Sequence, residues 1–178
     1  MGRVIVPTKD QVDDRAKEIF NSLENQIGML PNLYATIGYS PDVLEGYLKY
    51  SSVVGASSFN KKEIESVKLA VAQVNGCEYC ISAHTAISKM NGFTDDELLA
   101  IRKGEVIDPH LGVIVDAAQD IANNRGRLSQ DVFNRFFAAG FDNRALIDLV
   151  ALVNVSSFTN FIHNTTQVDI DFPLAPEL

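Results

Sequence analysis

Cys77 and Cys80 are the only cysteines in the chain, and they form a single C-x-x-C. Gly76 stops the segment before them, so Cys77 falls at the start of the next helix, where unpaired backbone N–H groups favour an anion. A thiolate forms more readily there, and the thiolate is the nucleophile. Cys80 follows one turn later, which lets the two sulfurs approach disulfide distance. His84 is four residues beyond Cys80 on the same helical face, close enough to exchange a proton with it. On the preceding helix Glu65 lies about 16 Å back from the turn, and His84 about 12 Å forward of it, at ~1.5 Å per residue. Antiparallel packing of the two helices would bring Glu65 and His84 level to within a turn. The result is a nucleophile, a resolving thiol and a proton relay. Two arguments compete over which sulfur attacks: the helix terminus favours Cys77, as in a thioredoxin-like C-x-x-C, whereas the histidine favours Cys80.

Each side chain also has a plainer reading. Glu65 stands three residues before Lys68 and would pair with it on a solvated face. His84 could be a hydrogen-bonded packing residue. Cys77, Cys80, His84 and Glu65 together count four ligands for zinc, although structural zinc in a helical hairpin with one carboxylate is uncommon. His110 and His163 have no reactive neighbour in sequence and read as structural, His163 on the C-terminal helix.

The elements that must position these residues read as helices. Thr8 and Gln11 have capping-box spacing, opening a helix to about Ile27 with Val12, Ala16, Ile19, Phe20 and Leu23 as its apolar stripe. Gly28, Pro31 and Asn32 punctuate it. Ser40-Pro41 starts a helix to about Val54. Asn60 with Glu63 starts the next, and Asn75-Gly76 ends it; the cysteine helix then runs to about Met90. Thr94 to Glu97 is another capping box, opening a helix that Gly104 ends. Further helices fit Pro109–Asn124, Ser129–Ala139 and Asp142–Thr166, the Val-rich stretch after Leu149 being ambiguous by propensity. The fold class expected is all-α, a single domain over residues 1–178. A shift of 48 residues superposes Gly92-Phe93-Thr94-Asp95 on Gly140-Phe141-Asp142-Asn143, with a helix, a glycine break and a second helix upstream of each. This predicts a duplicated helical unit. Leu128 and Val132 stand where the first copy has Cys80 and His84, which leaves the chemistry to the first copy alone.

Composition narrows the function. Lys and Arg number 15 against 23 Asp and Glu, so the net charge of −8 disfavours nucleic acid and anionic membranes as partners. No apolar run approaches the roughly 18 residues of a membrane span. The stretch from Met1 to Val6 is too short for a signal peptide, and Val6 breaks the myristoylation pattern; a cytoplasmic protein is expected. No G-x-G-x-x-G or P-loop occurs, so no nucleotide, flavin or haem cofactor is expected. Phe133, Phe136, Phe137 and Phe141 fall within nine residues and offer apolar surface for a core or for self-association.

The run Glu65-Ser66-Val67-Lys68-Leu69-Ala70-Val71-Ala72-Gln73-Val74-Asn75-Gly76-Cys77-Glu78-Tyr79-Cys80, continued to His84, resembles the alkylhydroperoxidase AhpD-like family of the carboxymuconolactone decarboxylase superfamily. That family's pattern is a glutamate twelve residues before C-x-x-C and a histidine four after it. The segments Met29–Tyr34 and Val168–Pro173 are similar to its larger peroxidase-related members. The resemblance implies an AhpD-like helical bundle, assembled as a trimer or hexamer. It implies a thiol-dependent peroxidase acting on a hydroperoxide and recycled by a dithiol or protein reductant. Cys80 would attack, Cys77 would resolve and donate a proton, and Glu65 and His84 would be the relay. The best-studied antioxidant members carry a second histidine between the cysteines; Tyr79 stands there in this chain and removes one candidate base. Lactone decarboxylases of the superfamily lack the dithiol, which disfavours that activity. A non-enzymatic redox sensor or metal-binding protein using the same four side chains, and a helical interaction module, are the other readings.

Overall fold

The computed structural model describes residues 2–178; Met1, on which part of the N-terminal reading rests, lies outside them. Among the described residues there are nine α-helices and no strand. They are α1 Asp14–Ile27, α2 Asn32–Ile37, α3 Pro41–Val54, α4 Lys61–Val74, α5 Glu78–Met90, α6 Asp95–Lys103, α7 Pro109–Asn123, α8 Gln130–Ala138 and α9 Asn143–Thr166. The starts follow the caps. Asn60 and Glu63 close a reciprocal box at α4, and Thr94 and Glu97 close another at α6. Asp108 and Asp142 accept first-turn N–H groups of α7 and α9.

Two starts differ from expectation. The Thr8–Gln11 box closes only a 3-10 turn at Lys9–Gln11; Val12 is extended, and α1 begins afresh with Asp13 as its cap. The six-residue α2 is absent from the sequence reading because no side chain near it in sequence caps it and Pro31 precedes it. Burial of Leu33, Ala35 and Ile37 holds it in place. The Val-rich stretch after Leu149 is helical, in the middle of α9. An 18-residue window of α9 reaches a mean hydropathy of 1.6, enough in length and composition for a membrane span. The expectation of no such stretch is corrected here: Ser, Thr and Asn interrupt the apolar run, and Asp148 is its one charged residue. In this fold α9 packs against α2, α3, α4, α5 and α7 as a core helix.

The centre is α4. Leu69, Ala70 and Ala72 face one apolar cluster, with Phe20, Leu44, Cys77, Cys80 and Ile101. Ile64, Val67 and Val71 face a second, with Ile114, Phe136, Leu149 and Leu152. Each fully buried Val or Leu adds roughly 1.5–3 kcal/mol, so a helix buried on two sides is a rigid mount for polar groups placed among them. The four phenylalanines largely belong to the second cluster. Phe136 stacks on Phe141 at 4.5 Å and Phe133 meets Phe137 at 4.6 Å, and only Phe133 among them is appreciably exposed.

The duplicated unit is visible as α4–α5–α6 followed by α7–α8–α9. Gly76 and Gly126 take positive φ at the first break, Gly92 and Gly140 at the second. Leu128 and Val132 pack at the edge of the second apolar cluster.

Candidate active site

The α4–α5 turn sets the two sulfurs. Gly76 has φ +60°, a conformation that strains any L side chain, and it delivers Cys77 to the N-cap position of α5. The Cys77 sulfur accepts the Cys80 N–H at 3.2 Å. Both thiols are free and buried, at 0% and 3% exposure. Their acidities diverge. The hydrogen bond between the two sulfurs, then burial, push the Cys77 thiol far up. The same bond from Cys77 holds Cys80 below the ordinary thiol value against the effect of burial, and the side chains of Asn160 and Thr159 on α9 reinforce it. The helix-terminus preference for an anion at Cys77 is therefore outweighed by its partner and its burial.

Glu65 and His84 meet across the hairpin, His84 Nδ1 lying 2.8 Å from Glu65 Oε2. Lys68 Nζ donates to the other oxygen, Oε1, at 2.9 Å. Both pairings read from the sequence thus coexist on one carboxylate, and that carboxylate is buried rather than solvated. Burial alone would raise the Glu65 pKa; the charge and hydrogen bond of His84, followed by those of Lys68, overcome it and hold the group at about 2. With Nδ1 committed to Glu65, the Nε2 atom of His84 is the nitrogen left for exchange with a third group.

Cys80 and His84 line a cavity of about 470 Å³; Cys77 does not. Its walls are mostly apolar or aromatic, with Leu33, Ile87, Val155, Tyr34, Tyr47 and Phe172 among them. Lys68 and Asn91 add polar atoms. Tyr34 and Tyr47 bring their hydroxyls to 3.4 Å of each other.

Tyr79, between the cysteines, is occupied elsewhere. Its hydroxyl donates to Asp171 Oδ1 at 2.6 Å and accepts the Leu33 N–H at 3.3 Å. Asp171 Oδ2 in turn accepts the Asn32 N–H at 2.8 Å. The segment after α9 crosses the cysteine helix as a strap: Phe172 meets the Tyr79 ring edge-on, Ala175 N–H donates to Ser82, and Arg102 donates to the Pro176 carbonyl. The two flanking segments that carried the wider resemblance, Met29–Tyr34 and Val168–Pro173, therefore meet over Tyr79.

Among the described residues no group of three or more His, Cys, Asp and Glu is placed to hold a metal. The four-ligand zinc reading is corrected on that geometry, since Glu65 and His84 turn their facing atoms to each other. His163 is buried on α9 with Nε2 3.2 Å from the Val168 carbonyl, and His110 lies on the Phe141 ring beside Glu63. Sequence reasoning found Lys68, three residues from Glu65, but missed the α9 side chains beside Cys80, the tyrosine pair and the strap, none of which carried a local signal.

Residues 41–119 match the model of the carboxymuconolactone decarboxylase family. The chain is 34% identical over 68 residues to an alkyl hydroperoxide reductase AhpD of Hyphomonas neptunium, a match spanning 38% of each protein. It is 25% identical over 114 residues to the uncharacterized protein YdfG of Bacillus subtilis, covering 62% of this chain and 74% of that one. Among solved folds, an alkylhydroperoxidase AhpD core, an uncharacterized peroxidase-related protein from Ralstonia eutropha JMP134, superposes with a TM-score of 0.84. That match has 20% identity and covers 96% of this chain and 92% of the other. The resemblance read from Glu65 to His84 is borne out, and the fold is the AhpD-like one.

Proposed function

We propose that this chain, with the carboxymuconolactone decarboxylase family pattern at residues 41–119 on an AhpD-like fold, is a thiol-dependent peroxidase. Its substrate is an organic hydroperoxide, and a dithiol, small or protein-borne, is its reductant. The Cys80 thiolate attacks the terminal peroxide oxygen; an S–O bond forms, the O–O bond breaks, and the leaving alkoxide takes a proton from His84 to depart as the alcohol. Cys77 then condenses with the Cys80 sulfenic acid, forming the disulfide and releasing water. Thiol–disulfide exchange with the external dithiol returns two electrons and two protons. Glu65 holds the ring of His84 and balances its charge, and Lys68 fixes Glu65 from the other side.

The observation that carries this reading is the asymmetry of the pair. Cys80 shares a cavity wall with His84, while Cys77 is sealed behind it with its thiol turned to Cys80. An apolar chamber of about 470 Å³ far exceeds hydrogen peroxide and suits an organic group. The test is steady-state reduction of cumene and linear alkyl hydroperoxides with a panel of dithiols. One equivalent of hydroperoxide should convert both thiols to an intramolecular disulfide, seen as loss of two hydrogens and of both alkylation sites, and restored by dithiothreitol. Two alkylatable thiols after stoichiometric oxidant would remove the peroxidase reading. Oxidation without turnover on any dithiol would assign a redox sensor instead.

The working unit in this proposal is one AhpD-like domain that self-associates in the cytoplasm. The surface for it is not the phenylalanine cluster but the outer face of α3 and α9, which pack together and leave Tyr50, Val53, Ile147 and Val150 exposed. Light scattering should give a trimer or hexamer mass, and Val53→Glu with Ile147→Glu should lower it. A monomer at micromolar concentration would overturn this.

A further inference from the structure

The cavity wall and the chain as a whole differ in charge. The chain carries a net −8, yet among the described residues no Asp or Glu lines the chamber, whereas Lys68 and His84 do. Glu65 stands behind them, buried, and both reach it. At ~1.5 Å per residue, Lys68 and His84 each lie about 12 Å from the glycine turn. They are therefore level across the hairpin, about one turn farther along it than Cys80. Most polar groups of the wall are already committed. The buried face of α9 carries a polar stripe of Ser156, Thr159, Asn160 and His163, of which Ser156 and Thr159 reach the chamber. Their hydroxyls donate to the Leu152 carbonyl at 2.7 Å and the Ser156 carbonyl at 2.9 Å. Tyr79 donates to Asp171, and the Asn91 amide to the Ile87 carbonyl. Lys68 differs. Its ammonium has three protons and gives one of them to Glu65 Oε1 at 2.9 Å. Its side chain is 25% exposed where that of Glu65 is 10%, and it lines the chamber, so its other protons are open to a ligand there.

The charges around Glu65 do not balance on their own. One carboxylate serves two cationic groups whenever His84 carries the proton it gives to the leaving alkoxide. The surplus positive charge then faces a mostly apolar chamber, where a charge is costly unless paired. A carboxylate supplied by the ligand would pair it, through charge-assisted hydrogen bonds about twice as strong as neutral ones. We infer that Lys68 is a specificity-determining residue: the substrate of this cavity is an apolar acid whose carboxylate Lys68 binds. The register of the hairpin sets that carboxylate roughly one helical turn from the peroxide group held at Cys80. The inference rests on the peroxidase reading for the reaction, whereas binding of the acid needs only the chamber and Lys68.

The test compares cumene hydroperoxide bearing a para carboxylate with its para carboxamide, which has nearly the same shape and no charge, in wild type, Lys68→Met and Lys68→Arg. The non-peroxide acid para-isopropylbenzoate and its amide are titrated in parallel by calorimetry. Wild type should favour the acid about tenfold, in KM and in Kd. Lys68→Met should erase that ratio, and Lys68→Arg should keep most of it. Any loss of kcat from a looser Glu65 falls on acid and amide alike, so the ratio reports the carboxylate contact alone. A wild type that takes acid and amide equally, or prefers the amide, overturns the inference, and this comparison holds even if Lys68→Met does not fold. An acid preference that survives in Lys68→Met overturns it equally. Calorimetry needs no turnover, so Lys68-dependent binding of para-isopropylbenzoate by a chain that reduces no hydroperoxide would sink the peroxidase reading and leave the carboxylate site standing. An active peroxidase indifferent to the carboxylate would do the reverse.

Discussion

Cys80→Ser should abolish hydroperoxide turnover, a loss on the order of a thousandfold or more, and leave Cys77 slow toward peroxide and alkylating agents. Cys77→Ser should behave differently: it should react once, stop, and carry a sulfenic acid on Cys80 that dimedone labels. Three independent features converge on that asymmetry. Cys80 faces the cavity and Cys77 does not. The Cys77 thiol supports ionisation of Cys80, whereas its own pKa is driven up by that same contact and by burial. His84 lies one turn along from Cys80 on the same helix, the better reach for protonating a leaving alkoxide. Against these stands the helix terminus, whose field is strongest at Cys77. Dimedone label on Cys77 in Cys80→Ser, with none on Cys80 in Cys77→Ser, would show that the terminus selects the nucleophile.

Glu65→Gln should slow thiol oxidation by about 10²-fold while the helical spectrum stays intact, the scale of a lost general acid–base contribution. It should also change how stability depends on acidity. In the folded chain Glu65 titrates at about 2, against an ordinary value of 4.5. The folded state therefore binds that proton less readily than the unfolded chain does. The stability this group contributes is complete above pH 4.5 and disappears as pH falls from there through 2. Its ceiling is about 3 kcal/mol, at ~1.4 kcal/mol per pH unit for a group this deeply buried. Denaturation midpoints for wild type should thus fall between pH 4.5 and 2 relative to Glu65→Gln, and the two should converge at the acid end. Parallel pH curves, or an oxidation rate equal to wild type, would return Glu65 to the role of a plain partner for Lys68.

Much of this arrangement was legible in local sequence because caps and periodicity are local. Asn60, Thr94 and Asp142 announce α4, α6 and α9, and the twelve-residue interval from Glu65 to Cys77 is rigid once two helices and a glycine turn are granted. Other features depend on distant contacts. α2 exists because Leu33, Ala35 and Ile37 find a core, not because its six residues favour a helix. The polar stripe on α9 reads as noise in a Val-rich stretch until α5 lies beside it. Residues 167–178 have no period at all; their placement rests on hydrogen bonds with Asn32, Tyr79, Ser82 and Arg102 and on Val168 and Phe172 joining the first apolar cluster. Tyr79 illustrates the gap best. From the motif it is a missing base, whereas in the fold it is the post to which that segment is tied.

That tie sets an order of events during synthesis. Asp171 is added to the growing chain 92 residues after Tyr79 and 139 after Asn32. The cysteine hairpin needs only neighbours in sequence, so it can assemble while the ribosome is still translating α6 to α9. Until the final segment arrives, Tyr79 has no acceptor and Phe172 is missing from the cavity wall. The nascent chain thus carries a dithiol before it carries a finished chamber, and the chamber wall is complete only when translation has passed Phe172.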